Sequence, residues 1–91
     1  METRIALIGI IVEGSEATEK LNTILHEYAH HIVGRMGIPY REKGICIFSI
    51  VIDATNDVIS SLSGKLGQIN GLSIKTVYSK MPTGKNKDSA L

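Results

Sequence analysis

His26-Glu27-Tyr28-Ala29-His30 spells H-E-x-x-H, the first spacing in the chain that could do chemistry. On a continuous helix, histidines four apart share a face and can grip one zinc ion, with the glutamate between them as general base. Three features argue against a protease. At about 100° per residue, His26 and His30 fall roughly opposite the apolar stripe of their own helix and face solvent. The longer metalloprotease pattern wants a glycine and then a further histidine at positions held here by Val33 and Met36. A chain of 91 residues, with its other polar groups spread over loops, has little from which to build a substrate cleft. His26 and His30, helped by His31, are left as weak surface candidates for a metal. No catalytic residue and no cofactor is expected.

The remaining reactive residues are sparse. Cys46 lies between Ile45 and Ile47 without a basic neighbour, so it reads as a buried, inert thiol. As the lone cysteine it can form neither an internal disulfide nor a cysteine metal cluster. Gly64-Lys65 lacks the glycine spacing and the Ser/Thr of a phosphate loop, and reads as part of a helix's exposed face. Arg35 and Arg41 read either as charges on a solvated edge strand or as contacts for an anion or carboxylate. The turn Glu13-Gly14-Ser15 opens a helix, and backbone N–H groups there favour the same ligand class. A small-effector site is therefore expected at Glu13, Gly14 and Ser15, closed by Arg35, Gly37 and Arg41 of a neighbouring copy.

The elements that must position these residues come in two similar halves. Residues 5–12 (IALIGIIV) and 45–52 (ICIFSIVI) are unbroken apolar runs rich in β-branched residues. Aligned with each other, they match in kind, with Gly9 on Ser49, Glu13 on Asp53 and Ser15 on Thr55. Each run leads into a helix. In the first, Ser15 is the expected N-cap and Ala17, Leu21, Ile24, Leu25, Tyr28 and Ile32 recur at helical spacing. In the second, Thr55 or Asn56 caps, Val58, Ile59, Leu62, Leu66 and Ile69 form the stripe, and Asn70-Gly71 is the expected stop. Residues 33–42 form an irregular strand that turns at Glu42-Lys43-Gly44, and residues 72–78 form a short last strand.

The order β-α-β-β-α-β implies an α+β, ferredoxin-like sandwich: a four-stranded antiparallel sheet with two helices on one face. Its first and third strands are central, where burial is greatest. Gly34, Gly37 and Pro39 fall in an edge strand, where a missing donor is tolerated. Both faces of the central strands are apolar, Ile5, Leu7 and Ile11 against Ala6, Ile8, Ile10 and Val12. Helices can cover only one of these faces, so the other is expected to pack on further copies of the chain, as a homodimer or homotetramer.

Composition narrows the partners. Ten basic and nine acidic residues give a net charge of +1, which supplies no electrostatic pull toward nucleic acid or an anionic membrane. No signal peptide opens the chain, and the longest apolar run is too short to span a bilayer. A cytoplasmic protein is expected, with one domain over residues 1–79 and a disordered tail over residues 80–91.

Residues 4–13, 25–28, 34–41 (GRMGIPYR) and 62–67 (LSGKLG) together resemble the small stand-alone ACT-like proteins known as iron-only hydrogenase system regulators. The resemblance implies a ferredoxin-like fold similar to ACT domains and to the C-terminal domain of the nickel-responsive repressor, both of which bind a small effector at an oligomer interface. It also implies a regulatory role tied to an iron-only hydrogenase system. No ribbon-helix-helix precedes the domain, and His26, His30 and His31 do not map onto the repressor's nickel ligands, so direct DNA binding is not expected. The rivals to a sensor module are an adaptor that docks a larger protein and a small enzyme of the dimeric α+β-barrel type.

Overall fold

The computed structural model describes residues 2–80, so all of the expected tail but Lys80 lies outside the described residues. The chain runs β1 (Arg4–Glu13), α1 (Ser15–Glu27), β2 (Ile32–Tyr40), β3 (Ile45–Ala54), α2 (Asn56–Gly67) and β4 (Leu72–Tyr78). Short 3₁₀ turns occupy Ala29–His31 and Arg41–Lys43. All pairings are antiparallel, in the order β2-β3-β1-β4. The two unbroken apolar runs are the central strands.

Strand alternation sends Ala6, Ile8, Ile10 and Val12 of β1, with Phe48, Ile50, Ile52 and Ala54 of β3, to one face. There they meet Ala17, Leu21 and Leu25 of α1 and Ile59, Leu62 and Leu66 of α2; among the described residues no polar residue is buried as a whole, although the Ser63 hydroxyl on α2 is shielded from solvent without a hydrogen-bond partner. This aliphatic layer is the core. Gly37 has a specific place in it, because a Cβ there would stand 2.9 Å from Cε2 of Phe48. The bare backbone of β2 is what lets that ring lie flat under the edge of the sheet.

The two halves are related across one residue pair. Gly9 and Ser49, equivalent when the halves are aligned, are also direct cross-strand partners. The approximate twofold axis of the fold therefore passes between them, perpendicular to the sheet.

Three element ends differ from the sequence expectation. Gly14, not Ser15, is the N-cap of α1, and no side chain caps that helix. The helix stops at Glu27, short of Ile32, because Ile32 is drawn into the sheet opposite Ile52. Long-range strand pairing here overrides helical periodicity. The second helix ends at Gly67, ahead of Asn70-Gly71, so that Ile69 reaches the core from the connecting turn. At its start Thr55 is the cap, its hydroxyl accepting from the Val58 N–H at 3.3 Å.

Candidate functional site

The C-terminal end of β1, the start of α1 and the β2–β3 turn converge on a cavity of about 330 Å³. Its polar rim is Gly14, Ser15, Thr18 and Arg41, and its wall is Val12, Pro39, Ile45 and Cys46. With no side chain capping α1, the first-turn N–H groups have neither an intrahelical acceptor nor a capping oxygen. Thr18 is turned back on its own helix, its hydroxyl donating to the Gly14 carbonyl at 3.0 Å. Partial positive charge from the helix end and the full charge of Arg41 thus border one apolar-walled space. The arrangement suits a small anion with a short apolar body.

Of the six expected effector residues, the fold brings three to this cavity: Gly14, Ser15 and Arg41 of the same chain. Glu13 lies on the helix-free side of the sheet, opposite Ile45. Arg35 points to the helix side, where it donates to Oδ1 of Asn22 at 2.8 Å and sits 5.6 Å from the centre of the Phe48 ring. Gly37 makes room for the same ring. Arg35 and Gly37 are thus tied to holding β2 on the core. Thr18, Pro39 and Cys46 were not picked out as site residues in the sequence. Cys46 is half-buried and lines the cavity beside the start of α1, in place of the fully buried thiol expected. Its strand partners, Val12 and Pro39, carried the signal.

The histidines are not a helical pair. His26 sits in the last turn of α1, while His30 and His31 belong to the 3₁₀ turn beyond the Tyr28 cap. The i, i+4 geometry on which zinc binding depends is broken between them. Among the described residues, no group of three or more His, Cys, Asp or Glu side chains could hold a metal ion.

A polar clasp joins the outer edges of the helices. The Tyr28 hydroxyl meets Oγ of Ser61 at 2.7 Å, and Nζ of Lys65 reaches Oε1 of Glu27 at 3.3 Å while lying 5.2 Å from the centre of the Tyr28 ring. The Glu27 carboxylate, followed by Tyr28, holds the Lys65 pKa above the ordinary lysine value. A cation stabilised in the fold contributes fully below its unfolded pKa, so this contact is intact at neutral pH and fades only as strongly alkaline pH passes the folded pKa. Both partners are about half exposed, so the contribution is small.

Residues 4–76 match the family model TM1266-like, described as "Iron-only hydrogenase system regulator, putative". The chain belongs to the TM1266-like family. A solved structure of an uncharacterized protein from Thermotoga maritima is 41% identical, with a TM-score of 0.84, and the match covers 87% of this chain and 100% of that one. Curated relatives include a "Putative nickel-responsive regulator" of Saccharolobus solfataricus, 35% identical over 66 residues, and one of Saccharolobus islandicus at 30%. Each match takes in 72% of this chain but 49% of the relative, so the chain spans about half the length of those proteins. A formyltetrahydrofolate deformylase from Pseudomonas putida shares the fold alone, at 11% identity and a TM-score of 0.58, over 80% of this chain and 28% of that one. In this chain the Gly34–Arg41 stretch supplies the Phe48 seat and part of the cavity rim. The Leu62–Gly67 stretch carries Lys65 to the helix clasp. No helix among the described residues is long and apolar enough to cross a membrane.

Proposed function

We propose that this TM1266-like protein is a non-catalytic, oligomeric regulatory module that takes a small anionic effector, a carboxylate by preference, in the cavity between α1 and the β2–β3 turn. One observation carries the reading. Arg41 and the uncapped start of α1 border the same apolar-walled space. A carboxylate there gains a charge-assisted hydrogen bond from the guanidinium and the favourable end of the helix dipole, while its body meets Val12 and Pro39. The regulatory role follows the family's description, and the process regulated would be an iron-only hydrogenase system. Binding without chemistry is the consistent reading, since Cys46 is the sole strong nucleophile at the cavity and no base adjoins it there.

Thermal-shift screening of short carboxylates, amino acids, nucleotides and divalent metals tests the proposal. A ligand at a hundred times its Kd stabilises by about 2.7 kcal/mol, a shift of roughly 10 °C or more for a domain of this size. Arg41→Gln should weaken carboxylate binding about tenfold or more while leaving the unliganded melting point within a degree or two, because the side chain is exposed. The effector reading fails if none of these compounds stabilises the protein. It is replaced by the adaptor reading if a stoichiometric protein partner co-purifies and remains bound to Arg41→Gln.

A further inference from the structure

The helix-free face of the sheet carries a hollow of about 510 Å³ at its middle. Strand register builds it. Ser49, Gly9 and Lys75 are neighbours across β3, β1 and β4, and they form a low row between two aliphatic ridges. Ile47 and Ile11 make one ridge; Val51 and Leu7, in the next pair on the same face, make the other. A Cβ on Gly9 would meet nothing within 4 Å, so the floor of the row is bare backbone. Two strand gaps of about 4.8 Å make the row roughly 10 Å long. The polar groups that border the hollow are unspent. Among the described residues, the hydroxyls of Ser49 and Ser73 and the ammonium of Lys75 make no hydrogen bond or ion pair within the chain. The acids of this face, Glu13 and Asp53, stand at the strand ends, four residues from the row.

We infer that this hollow is a second ligand site, for a flat aromatic carboxylate of one or two rings. Shape and charge select that class. The ring face lies on the bare backbone at Gly9, and its edges meet the ridges of Ile11 and Ile47 on one side and Leu7 and Val51 on the other. The carboxylate takes a charge-assisted hydrogen bond from Lys75 and a further one from the Ser73 hydroxyl. An uncharged apolar cover would instead bury the Lys75 ammonium with no acid beside it, which costs free energy. A ligand that brings its own negative charge removes that cost. The volume falls in the range of small-molecule sites, and the row accommodates two fused rings with a carboxylate but not a long acyl chain. Arg41 and the start of α1 take no part, so the inference goes beyond the effector proposed above and does not rest on it.

The probe is 2-naphthoate, titrated into the full chain and followed by amide NMR and calorimetry. The amides of Gly9, Ser49 and Lys75 should shift together on binding. Gly9→Leu fills the floor of the hollow from a position with open space, so circular dichroism should show the same fold while affinity falls about tenfold or more. Lys75→Gln removes the cation from an exposed side chain and should weaken 2-naphthoate to a similar degree. The neutral analogue 2-naphthamide should bind the parent chain about tenfold less tightly than the carboxylate. Arg41→Gln should leave 2-naphthoate affinity within about twofold, whatever it does to the short carboxylates that test the first cavity. Absence of 2-naphthoate binding at millimolar concentration overturns the inference, as does binding that Gly9→Leu and Lys75→Gln both leave intact. Binding abolished by Arg41→Gln alone would put the probe in the first cavity and likewise overturn it. A probe affinity that falls as protein concentration rises, with larger species in light scattering, would make another copy of the chain the occupant instead.

Discussion

Ile8→Ala should unfold the domain at temperatures where Leu7→Ala leaves it native. The two residues are adjacent on β1, similar in size and separated only by the alternation of the strand. Ile8 is 0% exposed in the core layer, while Leu7 is 43% exposed on the other face. Deleting a buried isoleucine to the β-carbon costs about 2–5 kcal/mol, since the surrounding side chains close the cavity only in part. A domain of this size holds on the order of 5–10 kcal/mol in total, so the substitution removes a large share of its stability. The expected fall in melting temperature is roughly 10–30 °C. Leu7→Ala should cost about 1 kcal/mol or less, because much of its side chain is already in water. Urea denaturation of the parent chain and the two variants measures both costs. Equal costs for the two substitutions would mean that the sheet is covered on both faces.

The same alternation explains what was legible in the sequence. An apolar run with both faces greasy marks a central strand, and two such runs, each followed by a helical stripe, leave few arrangements that bury both. The order of elements and the sheet's edges and centre followed from that. Element ends were less legible because long-range contacts set them. The stripe through Tyr28 and Ile32 continues the helical period, but only pairing with Ile52 reveals that Ile32 belongs to the sheet. The site was partly legible for the same reason. Gly14 and Ser15 are marked by the turn that ends a strand, and Arg41 by its charge. Arg35 carries the same charge, and nothing local distinguishes it. Its role depends on strand alternation in β2 counted from the irregularity between Ile32 and Gly34, which a sequence does not display.

The cavity and the core are coupled through one glycine. Gly71, just before β4, has φ +92°, and its carbonyl accepts from the Glu13 N–H at 2.9 Å. A Cβ on Gly71 would stand 2.8 Å from the Glu13 carbonyl oxygen and 3.5 Å from Cβ of Ala17. Both atoms are held by the backbone, so neither can swing away. Gly71→Ala should therefore cost about 2–4 kcal/mol, the sum of a positive-φ penalty of about 1–2 kcal/mol and of the shift needed to relieve the clash. Gly44→Ala separates the two contributions. Gly44 also has positive φ, at +67°, but a Cβ there meets nothing within 4 Å, so the expected cost is only about 1–2 kcal/mol. The extra loss at Gly71 falls on the Glu13-Gly14 turn, which carries the N-cap of α1 and one wall of the cavity. Carboxylate affinity should consequently drop in Gly71→Ala, measured by calorimetry below its melting transition. Gly44 lines the cavity too, but its substitution moves no backbone that bears on α1, so binding there should change less. If Gly71→Ala were no more costly than Gly44→Ala, the close packing of the last turn on β1 would be refuted, and with it this route from the core to the ligand.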